Sequence, residues 1–182
     1  MVESVTSVEL SSNLGGGVHA DSPVHLDGFF ATERLESEEI LARARRRAPA
    51  TKPGFAGSVT PKEAWQLITA HSAVLVDVRT AEERQFVGRI EDSIHVPWLI
   101  GPSLQRNLKF VRELEAKVRR DKVVLLLCRA GNRSTAAAQA LTEARFPNAF
   151  NVLEGFEGDL DQRLQRGNEG GWRYHGLPWI QD

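Results

Sequence analysis

The chain has 182 residues and a formal net charge of −1, with 41% hydrophobic and 26% charged residues. These values are ordinary for one globular domain with a short extension, and they give no general reason to expect nucleic acid or an anionic membrane as a partner. The first residues lack the basic and apolar segments of a secretion signal, and no apolar run approaches the length of a membrane span. The single cysteine cannot form a disulfide within the chain, so we expect a reducing, cytoplasmic location.

The composition predicts an N-terminal extension over residues 1–54 and a folded domain over residues 55–182. Small and polar residues dominate the beginning of the extension, which predicts a mobile, partly disordered arm. A helix capped by Thr32 is predicted over residues 32–48. Four apolar side chains lie near one face of this helix: Leu35, Ile40, Leu41 and Ala44. The run Arg45-Arg46-Arg47 is interpreted as a solvated helix end, with a partner or nucleic-acid contact as the alternative.

Within the domain, predicted helices alternate with short apolar strands. The run Thr60-Pro61-Lys62-Glu63 combines a capping box with proline at the first helical position, so a helix starts there. Strands are predicted over residues 73–79, 94–96, 123–127 and 150–153, and helices over residues 81–87, 103–118 and 133–144. The 103–118 helix, capped by Ser103, depends on an apolar stripe of Leu104, Leu108, Val111, Leu114 and Val118. This alternation predicts an α/β fold with a mainly parallel sheet.

The only cysteine opens the run Cys128-Arg129-Ala130-Gly131-Asn132-Arg133-Ser134, between an apolar strand and an alanine-rich helix. A sulfur at such a junction faces backbone N–H groups without an intrahelical acceptor and the positive end of the helix dipole, and both stabilise a thiolate. A lone cysteine is usually a small buried hydrophobe, but Arg129 and Arg133 are costly beside an apolar thiol and favour an anion instead. Gly131 allows the backbone to curl around one point. The sequence therefore predicts a nucleophile at Cys128.

Four motifs resemble, in order and spacing, the rhodanese family of single-domain sulfurtransferases: Asp77-Val78-Arg79, Gly88-Arg89-Ile90, the cysteine loop and Val152-Leu153-Glu154-Gly155-Phe156. The resemblance covers residues 57–182. It implies a doubly wound α/β domain, with a mainly parallel central sheet flanked by helices, and a two-step reaction that requires neither a metal nor an organic cofactor. Cys128 would take a sulfane sulfur from a small anionic donor such as thiosulfate, become a persulfide, and pass the sulfur to cyanide or to a thiol, including a thiol on a protein.

The resemblance also assigns roles to individual residues. Substrate binding falls to the remainder of the loop: Arg129, Ala130, Gly131, Asn132, Arg133 and Ser134. The amides of residues 130–134 would stabilise the sulfur anion, and the two arginines would attract a dianionic donor. Asp77 and Arg79 are expected to form a buried pair that supports the loop, acting through Arg133 or through a glutamate such as Glu82 or Glu83. Arg89 departs from the family pattern, in which histidine is usual at this position.

Two other functions stay open at this point. Cysteine phosphatases and arsenate reductases also combine a cysteine, a basic loop and an arginine, but they generally have one more residue between cysteine and arginine. This chain has four intervening residues, and the smaller cradle suits a single sulfur atom better than a tetrahedral phosphate. The other alternative is a sulfur-relay or binding module whose turnover of thiosulfate is incidental.

Overall fold

The computed structural model describes residues 26–50 and 54–181. The helices are α1 (Leu26–Arg46), α2 (Pro61–Thr69), α3 (Ala81–Val87), α4 (Phe110–Glu115) and α5 (Asn132–Glu143). The strands are β1 (Gly57–Val59), β2 (Val74–Asp77), β3 (Ile94–His95), β4 (Leu99–Ile100), β5 (Gln105–Arg106), β6 (Val124–Leu127) and β7 (Ala149–Val152). Within these residues, none of the helices is both long and apolar enough to cross a membrane.

The central sheet has five parallel strands in the order β1-β7-β6-β2-β3. Side chains alternate between its two faces. In β6, Leu125 and Leu127 pack with residues of α1 and α2, whereas Val124 and Leu126 pack with residues of α4 and α5. All four are buried on an apolar strand, as expected for a parallel sheet covered by helices on both sides. The predicted α/β architecture is confirmed.

Two capping boxes fix the helices that follow β1 and β2. The Thr60 hydroxyl accepts from the Glu63 N–H (3.2 Å), while the Glu63 carboxylate accepts from the Thr60 N–H (2.9 Å). Thr80 and Glu83 repeat this arrangement at the start of α3, with distances of 3.2 and 3.0 Å. The first box was predicted from sequence. The second capping box fixes Glu83 close to the end of β2, the strand that carries Asp77.

The predicted helix over residues 103–118 is wrong in its first half. A hairpin of β4 and β5 occupies that part, and the helix is confined to α4. Gly101 (φ 70°) turns the chain, and the Asn107 side chain then accepts from the Lys109 N–H (2.9 Å) while donating to the Pro97 carbonyl (3.0 Å). These local hydrogen bonds compete with a continuous helix. Two members of the predicted stripe are consequently exposed, Leu104 and Leu108, whereas Leu114 and Val118 are buried.

The predicted helix in the extension exists, but it begins at Leu26, so Thr32 lies inside it rather than at its cap. Ile40, Leu41 and Ala44 are buried against β1 and α2 as expected, whereas Leu35 is exposed. The interpretation of the arginine run as solvated is wrong for its last residue. Arg47 donates to both carboxylate oxygens of Glu63 (2.6 and 2.7 Å) and to the Ser58 carbonyl (2.6 Å).

This contact has an electrostatic consequence at Glu63. Partial burial by itself raises the pKa of this carboxyl group, but the hydrogen bonds from Arg47 and from the Thr60 backbone outweigh burial and lower it to about 2. Helix α1 therefore packs and pairs with the domain. The predicted boundary at residues 54 and 55 and the cytoplasmic location stay predictions, and the predicted arm before residue 26 lies outside the described residues.

Candidate active site

The cysteine loop connects the carboxyl end of β6 to the amino end of α5. Cys128 directly follows Leu127, and Gly131 turns the chain with φ of 94° immediately before the first residue of α5. A positive φ of this size is accessible mainly to glycine. The turn brings the Gly131 N–H to 3.1 Å from the Cys128 Sγ atom, to which it donates. The sulfur thus lies at the positive end of a twelve-residue helix, where negative charge is favoured.

A second hydrogen bond reaches the sulfur from the first turn of α5. The Ser134 hydroxyl lies 3.2 Å from Cys128 Sγ, 3.0 Å from the Gly131 carbonyl and 2.6 Å from Asn151 Oδ1. Ser134 and Asn151 are both buried. Because one hydroxyl proton serves three acceptors, it can turn from the amide to the sulfur when the sulfur becomes an anion. The loop can therefore match its hydrogen bonds to the charge on the sulfur.

Arg133 holds the loop against α3 through a two-point ion pair. Its Nη1 and Nη2 atoms donate to the Glu83 carboxylate oxygens at 2.7 and 2.6 Å. Burial alone raises the pKa of Glu83, but the Arg133 hydrogen bonds, the Thr80 N–H and the positive charge of Arg133 give a net lowering. Conversely, burial lowers the pKa of Arg133, but the hydrogen bonds to Glu83 and the negative charge of Glu83 give a net increase. Both groups are therefore held in their charged forms near Cys128.

Beneath the loop, Asp77 and Arg79 form a completely buried ion pair. The Asp77 carboxylate accepts from Arg79 Nε (3.0 Å) and Nη2 (2.7 Å), and Arg84 adds a third donor at 2.9 Å. Arg79 also donates to the Gly88 carbonyl (2.8 Å), and its guanidinium carbon lies 4.0 Å from the centre of the Phe156 ring. Its Nη1 atom has no acceptor among the described residues. The expected pairing is present, and the aromatic ring compensates part of the cost of burying the cation.

The segment after β7 closes the loop from the other side. The Phe156 N–H donates to the Cys128 carbonyl (2.8 Å), and the Glu157 N–H donates to the Arg129 carbonyl (2.9 Å). This approach requires glycine at position 155, where φ is 63° and a Cβ atom would lie 2.6 Å from the Arg129 carbonyl carbon. The motif that begins at Val152 in the sequence thus fixes the backbone of the cysteine loop.

The structure brings most of the predicted site residues together. Gly131 and Ser134 contact the sulfur, and Arg133 lies within electrostatic range of it. The side chains of Arg129 and Asn132 are exposed at the outer rim of the loop. Cys128 itself is only 1% exposed.

Sequence reasoning missed Asn151 and Arg84, and it did not choose between Glu82 and Glu83. A lone amide among the buried apolar residues of β7 was the available signal for Asn151, because a buried amide needs a partner. Arg84 had no such signal, since its contact with Asp77 depends on the close packing of α3 against β2. The capping-box pattern at Thr80 could have identified Glu83 as the inward-facing glutamate.

Comparisons with known proteins identify the family of this chain. The family profile described as Rhodanese-like domain matches residues 60–161, and the chain belongs to this family.

Among solved structures, Rv0390 from M. tuberculosis is similar over 70% of this chain and 99% of its own, with 43% identity and a TM-score of 0.64. The thiosulfate sulfurtransferase GlpE of Actinobacillus succinogenes is 29% identical over 120 residues, which span 66% of this chain and 86% of that protein. An uncharacterized protein of Rickettsia conorii is 33% identical over 118 residues, or 62% of this chain and 87% of that protein. Named sulfurtransferases are thus among the relatives of this chain.

Proposed function

We propose that this protein is a sulfurtransferase that moves a sulfane sulfur from thiosulfate, or a similar small anionic donor, to cyanide or a thiol through a persulfide on Cys128. One observation carries the proposal. The Sγ atom of the only cysteine lies at the amino end of α5, with the Gly131 N–H and the Ser134 hydroxyl 3.1 and 3.2 Å away. The similarity to proteins named thiosulfate sulfurtransferase supports the same reaction class.

In the first step, the Cys128 thiolate attacks the outer sulfur of thiosulfate. A new S–S bond forms to Cys128 while the bond between the two thiosulfate sulfurs breaks, and sulfite leaves with the bonding electron pair. The thiolate and the thiosulfate dianion together carry three negative charges, as do the persulfide anion and the sulfite dianion. The Gly131 N–H, the Ser134 hydroxyl and the first turn of α5 supply the stabilisation that the persulfide anion needs.

In the second step, the acceptor attacks the terminal sulfur of the persulfide. Cyanide leaves as thiocyanate, or a thiolate becomes a persulfide, and in both cases the Cys128 thiolate is regenerated. Because the chain has one cysteine, the acceptor must come from another molecule. A thiol on a partner protein meets this requirement as well as a small molecule does.

The two arginines of the loop have different tasks in this proposal. Arg129 is exposed and its side chain makes no hydrogen bond or ion pair within the described residues, so it is available to bind an anionic donor at the rim. Arg133 is committed to Glu83 and contributes positive charge at a fixed position. Asp77 and Arg79 act only indirectly, by supporting the strand end from which the loop is held.

A sulfur-relay module is the second candidate, and the burial of Cys128 favours it. With Cys128 only 1% exposed, a persulfide there is released fastest to an acceptor that fits into the loop, so it could wait for a dedicated partner. Relay and enzymatic turnover share the first step and differ in the rate of the second. The measurement that separates them is the rate of discharge by cyanide.

Thiocyanate formation from thiosulfate and cyanide tests the proposal. We expect turnover by the wild type and none by Cys128→Ser, with the same protein inactive on para-nitrophenyl phosphate. Rapid loading followed by slow discharge would favour the relay module. Hydrolysis of the phosphate ester without thiocyanate formation would contradict the proposal and indicate a cysteine phosphatase.

A further inference from the structure

The hairpin formed by β4 and β5 follows β3 at the same edge of the sheet from which the cysteine loop leaves β6. Register pairing puts Leu127, Asp77 and His95 at one level, at the carboxyl ends of three adjacent strands. The cysteine loop leaves β6 there and the hairpin segment leaves β3 there, about 10 Å apart across two strand spacings. At the base of the hairpin, the Trp98 N–H donates to the Val78 carbonyl (3.0 Å). Val78 in turn donates to the Leu127 carbonyl (2.8 Å), directly before the cysteine.

A second loop, residues 158–170, leaves the sheet on the other side of the cysteine. It follows β7, which lies next to β6 on the side opposite β2. The residue before this loop, Glu157, donates from its N–H to the Arg129 carbonyl (2.9 Å), and Arg166 fixes the base of the loop by donating to the Gly158 carbonyl (2.6 Å). The cysteine loop is therefore placed between the hairpin and this second loop.

Both flanking segments expose leucines in an unusual backbone conformation. Leu104 has φ of 51° and is 53% exposed, while Leu164 has φ of 59° and is 77% exposed. Bulky residues rarely adopt this conformation, and residues that do so cluster at ligand clamps and other functional sites. Leu108 and Ile100, on the hairpin side, are 90% and 44% exposed. Exposed apolar side chains on segments that leave the sheet at the same edge as Cys128 indicate a surface that contacts another molecule.

The charge of the hairpin segment indicates what kind of molecule fits. Residues 93–112 contain no aspartate or glutamate, and they include Arg106, Lys109 and Arg112. All three side chains are exposed, and the Arg106 guanidinium carbon lies 4.4 Å from the centre of the Trp98 ring, which orients it. The 158–170 loop carries both signs of charge, and its Asp161 is occupied by hydrogen bonds within the loop. Positive charge beside exposed leucines complements an acidic surface with an apolar centre.

We propose that Ile100, Leu104, Arg106, Leu108 and Lys109, here called the acceptor surface, dock an acidic protein that carries the acceptor thiol. The inference rests on the proposed function and specifies the partner for its second step. The partner's thiolate attacks the terminal sulfur of the Cys128 persulfide, so that the S–S bond to Cys128 breaks and an S–S bond to the partner forms. The Cys128 thiolate leaves with the electron pair, and no further reductant is needed.

Single-turnover transfer from protein preloaded with thiosulfate tests the inference. Two of the probes are synthetic peptides that share one cysteine and two leucines; the acidic peptide has four aspartates where the basic peptide has four lysines. The other two probes are cyanide and a thiol-tagged oligonucleotide. The variants are R106E/K109E and L104S/L108S. Matched controls are K122E/R145E, whose exposed positions lie at the opposite, amino edge of the sheet, and L35S on α1.

We expect transfer to the acidic peptide about tenfold faster than transfer to the basic peptide at low salt, with the difference shrinking as salt increases. R106E/K109E should reverse the preference between the peptides, and L104S/L108S should slow transfer to both. The control variants should behave like the wild type. In all variants, the rate of discharge by cyanide should change less than about twofold.

Equal rates with the two peptides, or variants without effect while cyanide still discharges the persulfide, would overturn the inference and leave the proposed function standing. Faster transfer to the oligonucleotide, unaffected by L104S/L108S, would also overturn it. Failure to load Cys128 at all would overturn the proposed function itself.

Discussion

Removal of the Arg133 side chain should weaken both folding and sulfur loading. The guanidinium makes two hydrogen bonds of 2.7 and 2.6 Å to Glu83, and the two side chains are 17% and 19% exposed. Charge-assisted hydrogen bonds contribute about 1.5–3 kcal/mol, and breaking a fully buried pair costs about 3–5 kcal/mol. Because water still reaches both groups, we expect Arg133→Ala to lower the free energy of unfolding by about 2–3 kcal/mol. With an m-value of about 2 kcal/mol/M, the urea midpoint falls by about 1–1.5 M.

Urea unfolding followed by tryptophan fluorescence measures the loss of unfolding free energy. The rate of persulfide formation on the variant, measured without urea, reports the loss of positive charge beside Cys128. Arg119→Ala is the matched control, because Arg119 makes the same two-point contact with Asp121 (3.0 and 2.9 Å) but at an exposed position. Its midpoint should be indistinguishable from that of the wild type. If Arg133→Ala also keeps the wild-type midpoint and loads at the wild-type rate, the assigned role of the pair is refuted.

Three further predictions follow from the same structure. Arg129→Ala should raise the KM for thiosulfate about tenfold, the equivalent of one charge-assisted contact, with unchanged stability; an unchanged KM removes Arg129 from donor binding. Gly101→Ala, where the added Cβ atom meets open space, should lower the free energy of unfolding by about 1–2 kcal/mol because φ is positive there. Gly155→Ala should lower it by about 1–3 kcal/mol more, because its Cβ atom would also overpack against the cysteine loop. Equal unfolding midpoints would contradict that contact. Glu63 has a pKa lowered from 4.5 to about 2, so its contribution to stability is complete above pH 4.5 and is lost as the pH falls toward 2. When the stability is measured as a function of pH, Glu63→Gln should therefore be less stable than the wild type at neutral pH, and its stability should fall less steeply between pH 4.5 and 2. Parallel curves for the two proteins would exclude the Arg47 contact as the cause of the lowered pKa.

Four of the five strands of the central sheet, and most of the helices, were predictable because each depends on local sequence, whereas β1 was not predicted. The apolar run before Cys128 and the capping box at Thr60 predict β6 and α2 without knowledge of distant residues. The hairpin was not predictable in this way, because the 104–118 leucine and valine spacing fits a helix equally well. Its formation depends on the turn at Gly101 and on the side-chain hydrogen bonds of Asn107. The apolar face of helix α1 was sufficient to predict the helix. The ion pair that joins the end of this helix to α2 was not predictable, because its partners are sixteen residues apart in the sequence.

The candidate site also combines local features that the sequence predicts with long-range contacts that it does not. The cysteine, the turn at Gly131 and the helix that follows it are contiguous in the chain, so the sequence is sufficient to predict an anion-stabilising loop. The pairing of Arg133 with Glu83, fifty residues away, and the contact of Ser134 with Asn151 on β7 depend on the order of strands in the sheet. That order cannot be read from residue patterns alone, which is why Asn151 was missed.

The central claim is that Cys128 carries sulfur, and the mass of the intact protein after incubation with thiosulfate tests it most directly. We predict that the wild type gains the mass of one sulfur atom, that cyanide removes the added mass as thiocyanate appears, and that Cys128→Ser gains nothing. An unchanged wild-type mass, or the same gain on Cys128→Ser, would contradict a persulfide at this residue.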